Sequence, residues 1–173
     1  TGEEKELSGN VYIGIPIEFG NNLVLPKLAE IGKKYPRIIF HLVYGHAASM
    51  NDLLLKGTLD FAFVDDFKFD PQVNTKKIHD ETLLLCALDE YVKSKGPIKM
   101  NAAYFEKLEY VDYMPDALIL KSWFKHHLKA THPSLNIRAA LMDVAGMSQL
   151  IKNGLGAGII PKHVQKSLKR RGH

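Results

Sequence analysis

The sequence predicts an α/β protein built from two similar lobes, and a duplicated pattern carries that prediction. Residues 50–57, Met-Asn-Asp-Leu-Leu-Leu-Lys-Gly, follow an apolar run at 38–44 and lead into Phe61-Ala62-Phe63-Val64. Residues 147–154, Met-Ser-Gln-Leu-Ile-Lys-Asn-Gly, follow the apolar run 137–142 and lead into Gly156-Ala157-Gly158-Ile159-Ile160. In each, apolar residues at i, i+3 and i+4 (Met50, Leu53, Leu54; Met147, Leu150, Ile151) mark one face of a short helix. The glycine that closes each helix supplies a left-handed cap. Strand, polar loop, helix, glycine and strand make a βαβ unit, which requires parallel strands and a right-handed crossover. Two such units far apart imply two α/β lobes. Ligands in such sheets sit beyond the carboxyl ends of the strands, so two lobes imply a cleft between them.

Taken in order, the first strand is 11–15 and is followed by a polar, turn-rich loop at 16–22. Val24, Leu28, Ile31 and Tyr35 keep helical spacing up to Pro36, and Pro26 belongs near the first turn, where a missing N–H costs least. Strand 38–44, helix 49–56 and strand 61–64 complete the first lobe's pattern, and 65–75 reads as loop. The aliphatic strand 81–88 reads as the crossing from one lobe to the next, with lobe I over 1–86 and lobe II over 87–173. Residues 91–100 are rich in Lys, Gly and Pro, 101–108 form a short helix and 110–113 a strand. An amphipathic helix at 117–131 carries Leu120, Trp123, Phe124 and Leu128 on one side. Strand 137–142, helix 145–153 and strand 156–160 form the second unit, after which Pro161 takes the first position of a last helix.

Hydrophobic content of 46% with 24% charged residues is that of a folded chain rather than a disordered one. The net charge of +4 is mild, and Lys33, Lys34 and Arg37 lie far in sequence from the densest basic run at 166–171. That run reads as a solvated terminal helix face, not a nucleic-acid contact. The one cysteine, Cys86, lies in an apolar strand and predicts a buried, inert thiol, in keeping with a reducing cytosol. No apolar run approaches the about 20 residues of a membrane span, so no membrane partner is expected. The opening Thr-Gly-Glu-Glu-Lys-Glu is not a signal peptide and reads as a cut within a longer protein.

Several motifs then carry a resemblance. Ile13-Gly14, Leu25-Pro26 and Tyr35-Pro36 are followed by Gly45, by Leu53 through Gly57, and by Asp60, Phe61 and Ala62. Near the end stands Gly154-Leu-Gly-Ala-Gly-Ile-Ile-Pro161. In this order the chain resembles the effector-binding domain of LysR-type transcriptional regulators. The resemblance implies two Rossmann-like lobes joined by crossing strands, as in periplasmic binding proteins of type 2. It also implies a small-molecule effector between the lobes that biases how a dimer or tetramer holds DNA. DNA binding would belong to a winged helix-turn-helix domain outside this chain. Dimer pairing would use the first helix (22–35) and second strand (38–44), with Tyr35, Phe40 and Leu42 as candidates. Two departures stand out: the segment that returns to lobe I is missing after His173, and the 16–22 loop lacks hydroxyl-bearing residues.

Effector contacts are expected at the loops that follow each strand's carboxyl end: Ile17, Glu18 and Phe19; His46, Ala47, Ala48 and Ser49; Tyr113, Met114, Pro115 and Asp116; Asp143 and Val144. Helix N-termini there favour anions. Glu18, Asp116 and Asp143 argue the other way, since these loops hold no Arg or Lys. A carboxylate facing an anionic ligand outweighs the about 0.3–1 kcal/mol of a helix terminus, so a neutral or amine-bearing effector is expected. Ser49, Asp116 and Asp143 are equally explained as helix caps, and Phe19 is either a lid or packing.

No catalytic site, cofactor or metal is expected. Gly154-x-Gly-x-Gly158 precedes a strand rather than opening a helix, which removes the dinucleotide reading. His126 and His127 are adjacent on a helix and point about 100° apart, which does not suit one ion. The rival to a cytoplasmic regulator is a secreted solute receptor of the same bilobal fold. An enzyme on that scaffold would need a convergent acid–base pair.

Overall fold

The computed structural model describes residues 7–65 and 67–170. The opening 1–6 and the terminal 171–173, with the end of the basic run, lie outside the described residues. The chain divides into two compact units at Ile78/His79.

In the first unit, β1 (Ser8–Ile15) is the central strand. It is followed by α1 (Ile17–Phe19), a π-helical turn (Gly20–Val24) and α2 (Leu25–Lys34). Next come β2 (Arg37–Tyr44), α3 (Ala47–Leu55) and β3 (Phe61–Ala62). The order is β2-β1-β3, all parallel, in register from Ser8↔Arg37 to Ile15↔Tyr44 and at Ile13↔Phe61. Ile13, Ile15 and Val24 are buried, with Leu25, Leu28, Phe40 and Phe63 packed against them. Met50 of α3 is fully buried. Asp60 extends the β1–β3 ladder with both its backbone and its side chain. Its N–H donates to the Tyr12 carbonyl (2.9 Å), and its Oδ2 accepts from the Tyr12 N–H (2.7 Å).

The helical run therefore begins at Ile17, where the sequence predicts a loop. Pro16, extended at ψ 144°, precedes the first turn, and the Gly20 N–H donates to its carbonyl (2.7 Å). Pro26 then falls inside a helical stretch rather than at its start. A proline there lacks its N–H and crowds the carbonyl four residues back; the wider π turn immediately ahead of it accommodates that loss.

The second unit repeats the plan. It contains β4 (Leu83–Cys86), α4 (Asp89–Ser94), α5 (Ala102–Phe105) and β5 (Glu109–Asp112). After these come α6 (Leu118–Leu128), β6 (Asn136–Ala140), α7 (Val144–Lys152), β7 (Gly158–Pro161) and α8 (Lys162–Arg170). β5 pairs in parallel with β6, and a parallel bridge from Tyr110 to Ala157 joins β5 to the start of β7. Centre strand first, then one neighbour, then the other is the order of the first unit. β4 adds an antiparallel edge, pairing Leu83 with Pro161 and Cys86 with Gly158. It thus belongs to the second unit, and the division falls ahead of it rather than after Cys86.

Both repeats end their helix identically. The Thr58 N–H reaches the Leu53 carbonyl (2.9 Å) across Gly57 at φ +67°, and the Leu155 N–H reaches the Leu150 carbonyl (3.1 Å) across Gly154 at φ +76°. These six-to-one bonds need the left-handed conformation that glycine adopts without steric cost.

Alternation along β5 splits the second core. Tyr110 joins Tyr104, Phe105, Leu108, Leu120 and Phe124 in one cluster, while Val111 joins Met147, Ile151 and Ile160 in another. Tyr110 is fully buried and its hydroxyl donates to the Phe105 carbonyl (2.7 Å). α4 arises within the Lys-, Gly- and Pro-rich stretch that the sequence leaves unassigned. α6 stops at Leu128, with Lys129 left-handed at φ +55°, short of the expected Thr131. Pro161 ends β7, and the last helix starts one residue later. Among the described residues no helix is long and apolar enough to cross a membrane.

Candidate functional site

In the first unit, β1 and β2 end level, Ile15 opposite Tyr44, so the segments that leave them emerge side by side. Ile17, Glu18 and Phe19 are half-buried and form a helical turn rather than a loop. Glu18 Oε1 accepts from the Asn22 amide (2.8 Å), which also donates to the Glu18 carbonyl (3.0 Å). The Tyr44 hydroxyl donates to Asn21 Oδ1 (2.5 Å), tying the end of β2 to the same turn. Phe19 packs with its ring 5.9 Å from Phe63 and against the Ile13 core.

The second segment is a helix start. His46 is extended (ψ 167°) and its side chain accepts from the Ser49 N–H (3.4 Å), while Ser49 Oγ donates back to the His46 carbonyl (2.8 Å). The cap is therefore His46, with Ala47 and Ala48 the first helical residues, where the sequence places the helix start at Ser49.

In the second unit, Tyr113 and Met114 are half-buried, and Pro115 and Asp116 are exposed. Asp116 caps nothing: α6 is entered through Ala117, buried and left-handed at φ +53°, without a side-chain cap. Asp143 does cap, accepting from Ala145 (3.2 Å) and Gly146 (2.9 Å) ahead of Val144 and α7.

Two residues missed by sequence reasoning matter here. Asp112 is 3% exposed at the end of β5, and its Oδ1 accepts from the Tyr113 (2.6 Å) and Met114 (3.4 Å) N–H groups. Burial pushes its carboxyl above the usual range despite those two bonds, and the Asp116 charge adds to the rise. The signal was a carboxylate directly after the apolar Tyr110-Val111, absorbed into the strand. Tyr44 was likewise read only as the end of a strand.

Chemically, the first unit offers Glu18 and the His46 ring, and the second offers Asp112, Asp116 and Asp143. No Lys or Arg falls within 16–22, 45–49, 113–116 or 143–144.

The family description "LysR substrate binding domain" matches residues 4–173. No curated protein sequence matches the chain. Among solved structures, it is similar to the C-terminal domain of a probable LysR family transcriptional regulator from Rhodococcus sp. RHA1. That likeness has 15% identity and a TM-score of 0.72, over 89% of this chain and 74% of the other. The LysR-type regulator CrgA from Neisseria meningitidis gives 15% identity and a TM-score of 0.75, over 95% of this chain and 54% of CrgA. The effector binding domain of QuiR in complex with shikimate gives 17% and 0.73, over 90% and 75%. At these identities the structural likeness is one of fold, and the chain spans about half the length of CrgA.

Proposed function

This chain belongs to the family of LysR substrate-binding domains, and on that premise we propose how it senses an effector. The small molecule is held at the segments that leave the parallel strands: Ile17–Phe19 and 46–49 in the first unit, 113–116 and 143–144 in the second. The observation that supports this most is the repeated strand order. It brings two segments side by side at the carboxyl ends of neighbouring parallel strands in each unit. The effector is neutral or carries an amine, because these segments hold carboxylates and no cation. The family match favours a regulator over an exported solute receptor. The chain works by binding rather than catalysis, in the cytoplasm, and DNA is held by a winged helix-turn-helix domain elsewhere in the full protein.

Calorimetric titration tests the charge reading. Shikimate, the ligand in the QuiR complex, is an anion; an uncharged ester of it is expected to bind more tightly here. Tighter binding of the free acid, unchanged in Glu18→Gln, would refute a preference for neutral ligands.

Assembly as a dimer runs through α2 and β2. β2 is an edge strand that exposes Ile39 (57%) and Leu42 (38%), and α2 exposes Ile31 (41%). Phe40 instead packs into the core, and Tyr35 is half-buried with Lys34 Nζ over its ring (5.1 Å), so the pairing rests on Ile39 and Leu42. Ile39→Asp is expected to give a monomer by light scattering, and an unchanged dimer mass would count against this interface.

A further inference from the structure

Two polar residues are buried among the described residues, Asp112 and Ser148. The Ser148 hydroxyl donates to the Val144 carbonyl (2.8 Å), a bond local to α7 that accounts for its place. Asp112 is only half accounted for. Its Oδ1 takes both the Tyr113 and the Met114 N–H groups, while its Oδ2 accepts from no described residue. No fully buried side-chain oxygen lacks a partner among the described residues. Oδ2 therefore reaches the surface of an otherwise enclosed side chain.

Its place is the end of β5, where the 113–116 segment begins. The Asp112 carbonyl accepts from the Leu141 N–H (3.0 Å), which joins it to the segment that leaves β6 toward Asp143. Asp112 thus stands at the root of both strand-end segments of the second unit.

Holding the loop does not require a charge. An asparagine would accept the same two N–H bonds without the cost of burying a carboxylate. No cation offsets that cost, since Asp112 forms no ion pair with a described residue. Burial, and with it the like charge of Asp116, instead pushes its carboxyl upward. A carboxylate in such surroundings gains when a cation arrives. A metal ion is one such cation, but no set of three or more His, Cys, Asp or Glu ligands among the described residues includes Asp112. An ammonium group needs only one free carboxylate oxygen for a charge-assisted hydrogen bond.

On the premise that the effector sits at these strand ends, we propose that it carries an amine and that Asp112 Oδ2 is the atom that binds it. The ammonium group donates to Oδ2 while the two loop N–H groups hold Oδ1, so the acceptor is fixed before the ligand arrives. The charge of Asp116 adds to the preference for a cation. A neutral effector would leave both charges uncompensated, which narrows the choice between neutral and amine-bearing ligands to the second.

The test is a titration followed by amide NMR, with benzylamine, benzyl alcohol and benzoate as probes of one shape. Benzylamine is expected to shift the Tyr113 and Met114 amides saturably, with an affinity roughly tenfold or more above that of the alcohol. Benzoate should bind most weakly. Asp112→Asn keeps an acceptor for both loop bonds and removes the charge, so it should lose the amine's advantage and bind the alcohol as the parent does. If that variant does not fold, the ranking of the three probes on the parent decides. Probes that move the 113–116 and 143–144 amides but bind equally, or the acid first, overturn the role of Asp112 and leave the strand-end site standing. A folded Asp112→Asn that keeps the parent's preference, or calcium ions that displace benzylamine, would do the same. Shifts confined to other parts of the chain, or none at all, overturn the site and the proposal together.

Discussion

Replacing Gly156 with alanine should pull the second unit's sheet apart at its centre. A Cβ built there meets the Glu109 carbonyl oxygen at 2.5 Å and the Glu109 carbonyl carbon at 2.8 Å, both backbone atoms that no rotamer change relieves. Restoring an ordinary contact of 3.4 Å requires β5 and the chain leading into β7 to part by about 0.9 Å. The Val111 N–H to Ala157 carbonyl bond (2.8 Å) and the Ala157 N–H to Glu109 carbonyl bond (2.9 Å) span that gap. Opened by that amount they reach about 3.7–3.8 Å, beyond hydrogen-bonding range. Val111 and Ala157 are 0% and 1% exposed, so water does not replace what is lost. Two buried pairs at about 1–3 kcal/mol each place the cost near 4 kcal/mol, against a total of about 5–15 kcal/mol for a folded domain. Gly154→Ala is the control. Its Cβ has room, with Leu88 at 3.5 Å, and only the φ of +76° is strained, costing about 1–2 kcal/mol. Urea unfolding measures both, and amide exchange at Val111 and Ala157 locates the damage. If Gly156→Ala cost no more than Gly154→Ala, the close approach of the two backbones would not be what requires glycine there.

Glu109 predicts an acid dependence. The Lys95 ammonium, followed by the Tyr91 hydroxyl, holds its carboxyl at about 2, below its ordinary 4.5. A depressed folded value stabilises the protein above about pH 4.5, and that stability is lost as pH falls toward 2. The shift corresponds to about 3 kcal/mol, which the quarter exposure of both side chains (26% and 23%) screens to about 1 kcal/mol. Glu109→Gln should therefore flatten the stability profile between pH 5 and 2.5, and a profile parallel to the parent's would show that the pair contributes nothing. Asp143→Ala removes both cap bonds of α7 and is expected to cost about 1 kcal/mol in urea; Asp143→Asn should recover most of it, and equal losses in the two would point to the charge instead of the cap.

What the sequence revealed was governed by local chemistry that repeats. The Met-x-x-Leu-[Leu/Ile] faces and the glycines at 57 and 154 announce helix, cap and strand because periodicity and the left-handed cap are both local rules. What escaped depends on long-range partners. Pro16, Gly20 and two asparagines read as a turn, yet a helix forms because a π turn absorbs Pro26. Asp116 has the composition of a cap, but the chain enters α6 through a left-handed Ala117, which no propensity scale favours. Phe40 alternates like any strand residue, and only the packing of α2 decides that its side is the inner one. Asp112 was hidden for a related reason: its burial is set by neighbours that close over β5, not by its own flanking residues.

The strand order also sets a sequence of assembly. In the first unit both described sheet partners of β1 lie within residues 37–62, so β1 is paired on both sides once Ala62 has been made. The second unit is different, since β4 comes first in sequence but pairs with the last strand, Leu83 opposite Pro161. Closing so long a loop is entropically slow and leaves the leading strand without its ladder until the end. During synthesis the first unit therefore forms early, whereas Leu83, Leu84 and Leu85 wait as an unpaired apolar edge until β7 emerges. An unpaired apolar strand of this kind is the template on which chains associate edge to edge.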